Sequence, residues 1–189
     1  MSLLAFCEWL AATENSTALR ESLFMYPLVE SSHVMFLLLF VGLTVMLDLR
    51  LLGLTLTQVK VSAMVDRILP WVRYGFAIMV FTGVLLFYAI PVRTYQSVWF
   101  RAKVIMLILA MINIAYFHYR VYPNVAAWDT EVRLPWTARR AGLASLILWA
   151  GIIVAGRFIA YNWFDCDIQP QSDFVNWFAG CVVPPINAE

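Results

Sequence analysis

Four long apolar blocks joined by short polar links set the pattern of this chain. The first, from Tyr26 to Gly53, is long enough to cross a bilayer as one helix, at about 1.5 Å per residue and roughly 20 residues per span. It also carries Glu30 and His33 in its first third and Asp48 and Arg50 at its far end. Glu30 and His33 are three apart and so share a helix face, and stepping on through Phe40 and Thr44 leads close to Asp48 on the same side. Ionisable groups in lipid are costly and turn towards protein, water or a cofactor. This face is therefore expected to line the interior of a small bundle.

The spans are predicted at about Pro27–Leu49, Ile68–Ile90, Val98–Tyr119 and Arg140–Trp163. Pro70 is expected to open the second and Pro91 to close it, while Pro123 ends the third. Trp71, Trp99, Tyr122 and Trp163 sit at their ends as interfacial anchors. The opening residues do not read as a cleavable signal peptide, because they lack a basic start and their apolar run stops at Thr13-Glu14-Asn15-Ser16. A surface amphipathic helix fits them better, with Ser16 placed to cap a second short helix. The fold class is all-α: a four-helix transmembrane bundle with an N-terminal interfacial helix, divided into 1–25, 26–163 and a tail of 164–189.

Composition agrees with a membrane protein. The 189 residues are 62% hydrophobic and 13% charged, about half the charge of a soluble domain, and the mean hydropathy is +0.77. A formal net charge of +1 without any basic tract argues against nucleic acid as a partner. Eight basic residues, from Arg50 and Lys60 to Arg139 and Arg140, fall where the first and third spans end. The other five fall on or near the opposite side, mostly inside spans. The basic side is then cytoplasmic and both termini are extracytoplasmic, as in a bacterial inner-membrane protein. In that compartment a Cys166–Cys181 disulfide is allowed, closing a loop worth roughly 3 kcal/mol. Cys7 is left as a buried free thiol.

Candidate chemistry gathers around two histidines. His33 lies in the outer part of the first span and His118 near the inner end of the third, about 15–20 Å apart in depth. One haem between both of them is thereby excluded. Near His33 in depth are Glu30, Arg101, Lys103, Arg157 and Met106, and near His118 are Asp48, Arg50, Arg73, Arg139 and Met46. Haem iron takes an axial imidazole, sometimes with methionine opposite, and its propionates suit Arg or Lys. Two b-type haems, one at each face, would form an electron path. Two other readings stay open. Glu30–His33–Arg101 and Asp48–Arg73–His118 can be polar clamps between helices, or the groups can serve a quinone or a proton relay. The methionines show no paired metal-binding spacing and read as core. No nucleophile–base constellation, phosphate loop or zinc spacing occurs, so no catalytic residue is assigned and enzymatic activity is left open.

Several stretches resemble a family of bacterial four-helix membrane proteins described only by a domain of unknown function. They are Tyr26-Pro27-Leu28-Val29-Glu30 with His33, Asp48-Leu49-Arg50-Leu51-Leu52-Gly53, Thr82-Gly83, Phe100-Arg101-Ala102-Lys103, Phe117-His118 and Gly156-Arg157-Phe158-Ile159-Ala160-Tyr161. The resemblance covers the membrane domain and stops before the cysteine-bearing tail. A remoter architectural likeness, to copper-resistance membrane proteins and small b-type cytochromes, implies a redox or metal-linked role. The leading expectation is a haem b subunit that relays electrons from an extracytoplasmic donor to a membrane or partner acceptor. His33 and His118 would be iron ligands, with Met106 and Met46 as further candidates, and Glu30, Asp48, Arg73, Arg101, Lys103 and Arg157 would surround the cofactor. The competing expectation is a non-catalytic subunit anchoring a larger complex, through a protein partner or as a homo-oligomer in lipid.

Overall fold

A computed structural model describes residues 2–131, 133–161, 164, 166–167 and 169–182. Among them there are helices and turns and no strand. Two short helices, α1 (Leu3–Ala11) and α2 (Glu14–Glu21), precede the first span, α3 (Met25–Leu52). The second span, α4 (Val61–Ala89), leads through a one-turn α5 (Pro91–Tyr95) into α6 (Val98–Tyr116). A π turn at Phe117–Val121 and a 3-10 turn at Tyr122–Ala127 prolong α6. The last span is α7 (Trp136–Ile159), and a short α8 (Asp173–Ala179) follows in the tail. Four helices are long and apolar enough to cross a membrane, with α6 and its two turns counted as one. The protein is a multi-pass membrane protein of all-α fold.

Several expected boundaries move. Pro70 does not open the second span: α4 begins nine residues earlier and runs through it. A proline inside a helix costs one backbone hydrogen bond, and here the helix continues regardless. Ser16 is no cap. Thr13 holds that position, while Ser16 is buried inside α2 and its hydroxyl donates to the Tyr88 carbonyl at 2.8 Å. α7 starts at Trp136 rather than Arg140. Gly53 ends α3 with a left-handed φ of 74°, letting the Leu54 amide turn back to the Leu49 carbonyl at 3.0 Å. Cys166 and Cys181 are bridged, and Cys7 is free and buried. Trp163 and Asp165 lie outside the described residues.

α3 packs along α4 and α7, and α6 packs along α7, whereas α4 and α6 are not packed closely along their lengths. At the end carrying the termini, α4 and α6 meet through stacked Phe87 and Phe100, with ring centroids 5.6 Å apart. The middle of the bundle is a dry layer of Phe40, Phe76, Met79, Met106, Ala110, Trp149 and Ile152. Phe40 meets Trp149 edge-on at 4.6 Å, a contact worth roughly 0.5–1.5 kcal/mol beyond area burial. Small residues let the helices approach. A methyl group on Gly142 of α7 would come within 3.1 Å of the Asp48 carbonyl on α3.

The loop end is held by polar contacts. Arg50 is fully buried, and its Nε donates to the Val59 carbonyl at 2.8 Å. Its Nη2 reaches the Asp129 and Glu131 carbonyls at 3.5 and 3.4 Å, tying both loops to the end of α3. The Asp129 carboxylate in turn caps α4, accepting from the Ser62 amide at 2.9 Å and from the Ser62 hydroxyl. Partial burial opposes its ionisation, but donation from Ser62 and Val61 prevails and holds the carboxyl below its usual range. A depressed native value stabilises fully above the unfolded value, near 3.9 (about the model-peptide figure), and that stabilisation fades as pH falls through the native value. Asp129→Ala is therefore expected to cost about 1 kcal/mol near neutrality. In thermal melts of the purified protein, the gap between the two proteins should close as the pH is lowered below about 4.

Candidate functional site

Towards the termini, a polar layer lies above the dry middle. His33 of α3 is half-buried, with its Nδ1 3.0 Å from the Thr82 hydroxyl of α4. That hydroxyl is also within donating distance of its own helix, 2.8 Å from the Ile78 carbonyl and 3.1 Å from that of Met79. With its proton placed there the hydroxyl accepts from an Nδ1–H of His33, and with its proton turned towards the ring it donates to Nδ1, so the imidazole tautomer follows the hydroxyl rotor. The Met79 carbonyl is a second acceptor beside the ring. Gly83 makes the space: a Cβ there would meet the His33 ring at 3.2 Å. Lys103 of α6 is half-buried and near enough to act electrostatically on His33. Its Nζ rests over Gly156 of α7, 3.5 Å from where a Cβ would stand, and no hydrogen bond or ion pair involves it among the described residues.

Towards the loops, the gap between α4 and α6 leaves a cavity of about 140 Å³. All four spans line it. α4 contributes only apolar side chains, among them Val65, Leu69 and Val72, while Thr44, Asp48, Asn113, Ser145 and His118 supply polar groups. Asp48 is 4% exposed, lies beside the Ser145 hydroxyl, and has an oxygen, Oδ2, with no partner. The Asn113 amide donates to the Ala141 carbonyl at 2.9 Å, and the Thr44 hydroxyl donates to Phe40 at 2.9 Å. His118, on the π turn, is exposed at the rim and stacks on Tyr122, with centroids 6.0 Å apart and planes 6° from parallel.

Neither expected clamp forms. Glu30 is exposed beside a shallow groove on the outer face of α3. Arg101 instead donates to the Tyr95 carbonyl at 3.3 Å, lies over the Tyr95 ring, and packs under Gly180 of the tail. Arg73 is exposed, away from the buried Asp48. Arg157 is exposed and donates to the Tyr161 hydroxyl at 3.0 Å. Met106 packs against Gly151 in the dry layer, and Met46 is 45% exposed on the bundle surface. His118 and Met46 therefore do not converge. The cavity beside His118 has the volume of a single small ring, comparable with an engineered site of about 150 Å³ that takes benzene. An inner haem does not fit it. No group of three or more His, Cys, Asp or Glu placed to hold a bare metal ion occurs among the described residues.

Sequence reasoning missed Thr82, Asn113, Ser145 and the role of Arg50. Each is a single polar residue within or ending an apolar run, the signal that had singled out His33. Phase alone does not say which such residues meet.

These features define a four-span integral membrane protein with a packed polar layer around His33 and a polar-walled cavity at the loop end, separated by an aromatic layer. The chain belongs to DUF6644, a family of unknown function, whose model matches residues 23–162. No curated protein and no solved structure matches it. The matched part holds both the His33 layer and the cavity and leaves out α1, α2 and the disulfide-bridged tail.

Thr82→Val removes the hydroxyl that engages His33 Nδ1. Imidazole 15N spectra of the neutral ring should show a tautomer balance in the variant different from that of the wild type. Identical spectra would show that Thr82 does not orient the ring.

Proposed function

We propose that the protein binds haem b beside His33, near its termini, with His33 as an axial ligand and the helices parting to admit the ring, and acts as a membrane electron relay. The observation that carries this reading is the 3.0 Å contact between His33 Nδ1 and the Thr82 hydroxyl, which engages one ring nitrogen and would leave Nε2 to coordinate iron. Imidazole ligands are commonly held in this way, through the other ring nitrogen. Lys103 supports it further: a half-buried cation beside the imidazole disfavours a bare metal ion but suits a carboxylate such as a propionate. Of the three cations expected around His33, it is the one turned to the bundle interior, since Arg101 and Arg157 are engaged with Tyr95 and Tyr161. Met106 lies three residues from Lys103 on the same face of α6 and offers a soft group in the layer below. Bound haem would supply reversible one-electron chemistry. The chain itself provides the imidazole, the counter-charge and the water-excluding layer of Phe40, Phe76 and Trp149 below. The basic loops favour an extracytoplasmic position for the His33 layer in a bacterial inner membrane, next to an external donor.

Purified protein should show a Soret band that is lost or strongly weakened in His33→Ala and kept in His118→Ala. A folded, colourless wild type would refute the proposal. One observation favours the anchoring-subunit reading instead: only 6% of the apolar window of the third span is buried, which leaves α6 a broad face for a partner helix. A colourless protein that co-purifies with other chains at fixed stoichiometry would select it.

A further inference from the structure

The cavity at the loop end is independent of His33 and is not used by the haem reading. Its wall is one-sided: α4 offers a flat apolar surface, and the polar groups come from α3, α6 and α7. Their hydrogen-bonding capacity is also only partly used. The Thr44 hydroxyl proton goes to Phe40, the Asn113 amide binds Ala141, and the Ser145 hydroxyl lies beside Asp48. What remains unpaired is the Asn113 carbonyl oxygen with its second amide N–H, the Thr44 oxygen and, buried just behind the wall, the unpartnered Oδ2 of Asp48, a side chain only 4% exposed. A buried carboxyl oxygen left without a donor costs about 1–3 kcal/mol or more. Rotation about the Cβ–Cγ bond, a soft torsion in aspartate, turns that oxygen towards the cavity. A volume of about 140 Å³ admits one six-membered ring. Ile114, 42% exposed, and His118 both line the cavity and reach the surface of α6, on the side where α6 and α4 do not pack together. The way in is therefore sideways, from the bilayer.

We propose that this cavity binds the hydroxyl-bearing ring of a lipid-soluble phenol or hydroquinone, which enters between α4 and α6 and donates its O–H to Asp48. The ring lies against Val65, Leu69 and Val72, and any alkyl tail leaves through the gap into lipid. A carbonyl-only ring, such as an oxidised quinone, has no O–H to give to Asp48 Oδ2, so the site discriminates in favour of the hydroxyl form. A site built to hydrogen-bond one group rejects the analogue that leaves its own polar atoms unpaired.

The test uses the full chain in lipid nanodiscs and 19F NMR with three probes: 4-fluorophenol, fluorobenzene and 4-fluorobenzylamine. In the wild type, 4-fluorophenol should give a saturable bound resonance and bind more tightly than either of the others. Asp48→Asn should weaken 4-fluorophenol about tenfold, as expected for loss of a hydrogen bond to a charged or buried carboxyl, while leaving fluorobenzene unchanged. Val72→Phe fills the apolar side, away from Asp48, and should abolish binding of all three. That variant keeps the question decidable if Asp48→Asn fails to fold. Equal binding of fluorobenzene and 4-fluorophenol would reduce the cavity to an apolar void, and tighter binding of the amine would make it a cation site. Either result overturns the proposal, as does wild-type binding in Val72→Phe or the absence of any bound resonance. A missing Soret band would not affect these readings, because they do not involve haem.

Discussion

The close crossing of α3 and α7 at Gly142 is the contact on which the bundle depends. α3 is the helix to which α4 attaches, and α7 is the one to which α6 attaches, so the two pairs are joined chiefly through this line. Lipid tails are as apolar as leucine, and burying apolar side chains between helices gains little inside a bilayer. Association rests on close packing and a few polar contacts, and a glycine facing a backbone carbonyl at van der Waals distance provides the first of these. The same crossing sets Ser145, one turn along α7 from Gly142, beside Asp48, and so builds the polar wall of the cavity.

The second consequence lies on the opposite side of the bundle. Because α4 and α6 are each fixed through a neighbour and meet through few direct contacts, their seam is the place where the interior can open to lipid. Stacked Phe87 and Phe100 close it near the termini, and the cavity beside Ile114 and His118 lies along it near the loops. Between the two levels, the layer of Phe40, Phe76 and Trp149 separates the imidazole and ammonium groups from the cavity with its carboxyl group.

Much of the fold was legible in the chain. Runs of more than 20 apolar residues admit one solution in lipid, since every backbone amide must be satisfied within its own segment. The spans and their number follow from that, while cysteine placement allowed the disulfide that the structure shows in the tail. The depth separating His33 from His118 was legible for the same reason, because rise per residue is fixed. Less legible were the partners of each polar side chain. Arg101 and Glu30 share a level and yet turn away from each other, one towards Tyr95 and the tail, the other towards lipid. The proline rule also failed at Pro70, where the helix started early and carried the proline inside it.

The sequence by itself determined that four helices cross a membrane and at which depth each charged or imidazole group sits. Both are matters of hydropathy and length along one axis. Only the tertiary structure decided the rotation of each helix about that axis. In a nearly uniform apolar segment this rotation is weakly marked by pattern and is set by contacts as small as a glycine against a carbonyl. That rotation gave His33 to Thr82 rather than to Glu30, and left Asp48 with Ser145 at the edge of a cavity rather than paired with Arg73.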